Sequence, residues 1–266
     1  MVDFKEVCLM EIDWSEVKKI TLWSYEELVE KILRVLSYSF VRENYNHSIR
    51  EAEKYVNGLL GYDQKHTDYV MKLARIFKKL DPLKIQNYAE LIHRVATREE
   101  CEGFLRKAEL PFGDLMSALN YLFRWILPFN IYLRELIDAD NETHLGYLEQ
   151  LRELGIRFNL DILERGRHIE SRRRISEEKG IPETFVADLV NRADMTRLPY
   201  SNRKTVKHLC VAGYCSLGKI AQADLRDLKE HMRLHFDKTG VRFARSFIDL
   251  DGISRWARIV PRVVET

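Results

Sequence analysis

From Ser24 onward the apolar residues Leu28, Ile32, Val35, Leu36 and Phe40 recur at three- and four-residue steps with Glu26, Glu27, Glu30, Lys31 and Arg34 between them, which predicts an amphipathic helix. Ser24 followed by Glu27 is a capping-box pattern that fixes where it starts. The same periodicity predicts helices over Tyr55–Leu60, Thr67–Lys79, Ile85–Val95, Arg98–Lys107 and Phe112–Trp125, the fourth opened by Thr97 with Glu100 at its third position. Asp81-Pro82 and Leu110-Pro111 separate neighbours, because proline disfavours helix in the residue before it. The first half reads as an antiparallel helical bundle. Trp14, Trp23 and Trp125 fall among apolar neighbours and read as core residues.

The apolar run Tyr121–Tyr132 is interrupted by Arg124 and Pro128 and falls short of the roughly 20 residues a bilayer demands, so it reads as core and no membrane partner is expected. The opening stretch Met1–Trp14 carries acids where a signal peptide carries bases, which points to a cytoplasmic protein. Cys8, Cys101, Cys210 and Cys215 are scattered through a chain long enough to fold unaided, so free thiols are expected.

The second half compares with itself. Leu151-Arg-Glu-Leu-Gly155-Ile matches Leu209-Cys-Val-Ala-Gly213-Tyr at a shift of 58, Leu160 and Leu163 then fall on Leu217 and Ile220 with one residue inserted, and Leu189–Met195 resembles Ile253–Ile259. Each copy reads as a helix ended by a glycine, a short apolar turn and later helices that close over it. The stretch Arg197–Asp224, with its Leu-Pro, a helix opening in Lys204-Thr205 and ending in Ala212-Gly213, resembles the helix-hairpin-helix motif. Residues 148–264, including Asn191–Pro199 and Ile253–Pro261, are similar to a family of unknown function built from tandem helix-hairpin-helix units. The expected fold is all-α: an acidic bundle over 1–140, then a tandem helix-hairpin-helix domain over 141–266.

Charge sharpens that division. Residues 1–147 hold 20 Lys and Arg against 24 Asp and Glu, and residues 148–266 hold 23 against 17, so the formal +2 of the chain is −4 and +6 in its two parts. The resemblance implies that backbone N–H groups at the start of a hairpin's second helix, where the helix dipole is positive, grip one duplex phosphate without reading bases. The residues that would carry this are Arg197, Asn202, Arg203, Lys204, Thr205 and Lys207 around the second hairpin, with the run Arg172, Arg173 and Arg174. DNA or another nucleic acid is therefore the expected partner. Tyr200 and Asn202 stand where the motif has glycines, and Asp140–His144, at the first copy's hairpin, is acidic. Those departures keep open a second expectation, a protein-protein adaptor that uses the repeat for packing.

Other chemistry is thin. Cys210, Cys215, His231 and His235 spell C-x4-C-x15-H-x3-H, near a zinc-finger spacing, but Lys204–Ala212 reads as helix where a finger needs a hairpin, so no metal is expected. Asp138, Asp140, Glu142 and Glu149 mimic a calcium loop, yet Thr143 occupies the position that demands glycine. No phosphate-loop, dinucleotide, zincin or nucleophile-elbow motif is present, and Asp224 has no evident catalytic partner, so neither a cofactor nor an enzyme is expected.

Overall fold

The computed structural model describes residues 12–138, 140–199, 201, 203–240 and 249–266. Among these the chain is all-α, with sixteen helices and no strand. No described helix is long and apolar enough to cross a membrane.

The first eight helices are α1 (Ser15–Thr21), α2 (Tyr25–Leu36), α3 (Ser39–Tyr45), α4 (Ala52–Leu60), α5 (Thr67–Leu80), α6 (Tyr88–Arg94), α7 (Arg98–Ala108) and α8 (Phe112–Tyr121). Both predicted capping boxes form: the Ser24 hydroxyl accepts from Glu27 N–H while Glu27 accepts from Ser24 N–H, and Thr97 and Glu100 pair in the same way. The helix expected to run from Ser24 through Phe40 is broken at Ser37-Tyr38, and Phe40 belongs to α3. Arg42 on α3 holds the break, donating through Nη1 to the carbonyls of Leu36 (3.1 Å) and Ser37 (2.5 Å), two of the orphan acceptors at the end of α2. Past α8 the chain winds through a π-turn over Leu122–Ile126 and stops before Pro128. Trp14 meets Tyr25 and Phe112 edge-on, Trp23 meets Phe123, and Trp125 is buried against Trp256, so all three pack with the core as expected.

The remaining helices form two sets of four. The first holds α9 (Glu142–Glu153), α10 (Asn159–Gly166), α11 (Ile169–Lys179) and α12 (Glu183–Met195); the second holds α13 (Arg203–Val211), α14 (Leu217–Gln222), α15 (Leu225–Thr239) and α16 (Leu250–Ile259). The duplication seen in the sequence extends to hydrogen bonds. Gly155 (φ +75°) and Gly213 (φ +96°) end α9 and α13 in the left-handed conformation. Beyond each, Ile156 N–H reaches back to Leu151 O at 3.0 Å and Tyr214 N–H to Leu209 O at 2.8 Å, the closing bond of a Schellman motif. The matched pairs Leu151 and Leu209, Leu160 and Leu217, Leu163 and Ile220, and Leu189 and Ile253 are all buried. In the first set α10 packs on α12, and in the second α14 packs on α16.

A single hydrophobic core runs from Val17 to Val263 and crosses the 140/141 boundary without interruption. Polar contacts cross it too. Glu164 on α10 accepts from the N–H and hydroxyl of Ser39 (3.1 and 2.5 Å) and from Phe40 N–H (3.3 Å), capping α3, which has no cap of its own. The Tyr38 hydroxyl donates to Asp161 at 2.7 Å. Trp256 on α16 donates from its indole to Leu59 O at 3.2 Å, and Arg255 lies over the ring of Tyr62.

Candidate nucleic-acid interface

The segment expected to be the second hairpin, Thr196–Asn202, joins α12 to α13, and its Tyr200 and Asn202 lie outside the described residues. The structure separates the other predicted contact residues into two groups.

Three of them are interior. Arg197 has a fully buried side chain; it donates from Nε to Asp194 at 2.8 Å and from Nη2 to Asp194 at 2.5 Å and Pro261 O at 3.0 Å, and its Nη1 bonds the Tyr45 hydroxyl. Thr205 is buried at the α13 face that packs inward. Arg172 is buried as well, its guanidinium held by the carbonyls of Gly166 (3.3 Å), Arg167 (3.2 Å) and Glu265 (3.0 Å). Burial takes Arg197, Thr205 and Arg172 away from the surface on which they were expected to face a phosphate, and the two arginines join parts of the fold. The bond from Arg172 fastens the C-terminal segment, whose Glu265 carboxylate accepts from Ile169 N–H at 2.9 Å and so caps α11.

The other five reach the surface. Arg203 and Lys204 open α13 and are exposed, and Lys207 is half-buried one turn on. Arg203 pairs with Glu135 from the 3-10 turn Leu133–Glu135. No acid occurs anywhere in α13, whose sequence is RKTVKHLCV. Arg173 and Arg174 are exposed on α11, where Arg173 pairs with Glu170 at 3.1 Å and Glu177 and Glu178 follow within the next turn. Of the other arginines near that run, Arg165 donates to Leu154 O at 2.5 Å and Arg167 to Glu43 at 3.1 Å. The cations of α13 and those of α11 therefore sit on separate helices, each packed on α12. At the corresponding point of the first set, Asn141 caps α9 by accepting from His144 N–H at 3.1 Å, and the exposed acids Asp138 and Asp140 precede it.

Cys210 and Cys215 are joined as a disulfide across the Gly213 turn, which corrects the expectation of free thiols. The left-handed glycine folds the chain back on itself and brings residues five apart in sequence within bonding reach. Cys101 is the free cysteine among the described residues, and burial pushes its thiol up to about 11. The zinc-finger spacing has no geometric counterpart: His235 Nε2 lies 2.8 Å from His208 Nδ1, and His231 Nδ1 lies 2.8 Å from the Tyr214 hydroxyl. Among the described residues no group of three or more His, Cys, Asp or Glu side chains gathers as a metal would need. Burial, with His235 and Lys204 nearby, lowers the pKa of His208 on α13.

The signals missed in the sequence are of one kind. Asp194 and Arg197 stand three apart on a helix end among Ala, Met and Leu, a spacing that suits a buried ion pair, and Cys210 and Cys215 flank the very glycine that marks the turn.

An all-α chain whose second part is a twofold helical repeat is the class that fold and site define. Residues 144–258 match the model of a family described as a domain of unknown function, DUF4332. No curated protein and no solved structure matches the chain.

Proposed function

We propose that the protein is a non-catalytic nucleic-acid-binding protein that holds duplex DNA by its phosphates, without reading bases, through a helix-hairpin-helix segment whose second helix is α13. The observation that carries this reading is the first two turns of α13: Arg203, Lys204 and Lys207 stand there on a helix with no acid, at the helix end where the dipole favours anions. The interface is smaller than the sequence suggests, because Arg172, Arg197 and Thr205 are interior, and Arg203 is shared with Glu135.

Two to three neutralised phosphates give a roughly 10- to 40-fold loss of affinity between about 50 and 200 mM salt. Fluorescence anisotropy of the full chain on a labelled 20-base-pair duplex reads this directly. Lys204→Ala with Lys207→Ala lowers the slope of log affinity against log salt by about two. Binding that ignores salt, or a slope unchanged in the double variant, contradicts the proposal.

A second reading has its own observation. The repeat is fastened to the N-terminal bundle through Arg197 and Tyr45, Glu164 and the start of α3, and Trp256 and Leu59, as a packing module would be. On that reading the duplex titration gives no binding and the lysine substitutions leave function intact.

A further inference from the structure

A second surface joins exposed apolar side chains to cations. Leu22 at the end of α1 is 74% exposed, Tyr132 57% and Phe129 36%. They belong to a linked strip. Trp23 meets Phe123 and Phe123 meets Phe129, each with ring centres 4.9 Å apart and edge to face. Three residues on, Tyr132 lies 4.5 Å from Phe158, where the two chain segments form an antiparallel bridge. One edge of α2 borders both ends: Lys31 lies over Trp23 at 5.3 Å and Arg34 over Phe158 at 5.1 Å. Arg124 adds a third exposed cation, donating to Ile20 O at 3.4 Å beside Leu22. Most of the nearby acids have partners: Glu26 pairs with Arg98, Glu27 closes the capping box of α2, Asp161 accepts from the Tyr38 hydroxyl and from Arg157 and Phe158 N–H, and Glu135 pairs with Arg203, leaving Glu30.

We propose that this strip of Leu22, Trp23, Phe129 and Tyr132, edged by Lys31 and Arg34, is a docking surface for an acidic, apolar peptide segment of a partner protein. Its exposed apolar groups would bury against the segment's own apolar side chains. Charge selects the occupant. Lys31, Arg34 and Arg124 surround the strip with positive charge, so a segment carrying carboxylates between its apolar residues is complementary, and a basic one is repelled. Single-stranded nucleic acid fits less well, because stacking needs open ring faces. Lys31 covers a face of Trp23, and Phe158 is flanked by Arg34 and Tyr132.

The test is a selection of random 16-residue peptides displayed on phage against the immobilised full chain, followed by titration of the enriched peptides. The expected result is enrichment of Asp and Glu interspersed with Leu, Phe or Trp. Affinity falls at least tenfold in the exposed-charge variant Lys31→Glu with Arg34→Glu and, separately, in Leu22→Ser with Tyr132→Ser, each verified to melt within a few degrees of the parent. Three results overturn the proposal: no enrichment, enriched peptides without an acidic excess, or enriched peptides that bind both variants as tightly as the parent. A labelled 20-nucleotide oligo-dT that competes at the same residues also overturns it, in favour of a nucleic acid, as does a chain self-association abolished by the same substitutions. Binding of duplex DNA at α13 bears on neither outcome.

Discussion

Arg197 and Asp194 lie in the interior with the Tyr45 hydroxyl and the Pro261 carbonyl completing the guanidinium's partners. Removing two charges from water costs several kcal/mol each, repaid only when every donor is satisfied, so the arrangement is sensitive to loss of one member. Arg197→Met leaves Asp194 buried without its hydrogen-bonded cation, with only the exposed Arg262 nearby, and lowers stability by about 3–5 kcal/mol, whereas Arg197→Met combined with Asp194→Leu recovers most of it. Urea unfolding of the parent, the single and the double variant decides this, and a single variant within about 1 kcal/mol of the parent contradicts it. His47 gives a pH-dependent counterpart. Its ring stacks on Tyr55 at 3.6 Å and meets Tyr88 edge-on, and burial draws its pKa from 6.5 down to about 4, slightly opposed by Glu51. The folded value is depressed, so the ring's contribution is complete above pH 6.5 and is lost as pH falls from there toward 4, where the unfolded chain takes up a proton the folded chain refuses. The ring is only half-buried, and after solvent screening the loss is on the order of 1–2 kcal/mol. His47→Gln should flatten the stability curve across that window; a curve parallel to the parent's refutes the assignment.

At the scale of elements, what the sequence discloses is whatever a helix settles locally. Ser24 with Glu27 and Thr97 with Glu100 satisfy N–H groups within one turn, and Gly155 and Gly213 mark turns by a conformation other residues resist, so these ends could be read in advance. The break between α2 and α3 could not. The apolar period from Leu28 to Phe40 continues across it, and the start of α3 is capped by Glu164, whose place there follows from packing over more than a hundred residues of chain. The capping of α11 by Glu265 is hidden for the same reason. The turn glycines carry a prediction of their own. A Cβ on Gly213 would meet nothing within 4 Å, and at Gly155 its nearest neighbour is Arg165 Nη2 at 3.9 Å, so alanine at either position pays only for its left-handed backbone, about 1–2 kcal/mol. Gly146, inside α9 and also open, gives the opposite sign: Gly146→Ala removes backbone freedom from the unfolded chain and stabilises by about 0.5–1 kcal/mol. Thermal melts of the three variants separate conformation from crowding, and equal effects at Gly146 and Gly213 would rule this account out.

At the scale of the whole molecule, the acidic and basic parts that the charge count separates are one packed body. The charge asymmetry is a property of surfaces, while the boundary near residue 140 is crossed by apolar side chains that composition cannot assign to one side or the other. The same blindness explains the candidate site: Arg172 and Arg197 resemble surface cations in a sequence, and only the partners drawn in from Tyr45, Asp194 and Glu265 make them interior. Trp256 concentrates the seam. It is buried on α16, bonded to Leu59 O, and edge-on to Trp125 and Tyr62 from the N-terminal bundle, while Gly252 one turn earlier has no room for a Cβ, which would lie 2.8 Å from the Tyr62 hydroxyl. A seam of this kind couples the two parts, so the full chain should unfold in one transition, reported alike by far-ultraviolet circular dichroism and tryptophan fluorescence. Trp256→Ala then removes about 3–5 kcal/mol from the whole and leaves a cavity that the surrounding rings fill only in part. Hydrogen exchange distinguishes coupling from local damage: protection should fall in α4 as well as in α16. Exchange that rises in the C-terminal repeat alone, with two resolved melting steps, would mean that the bundle and the repeat are independent units that merely touch.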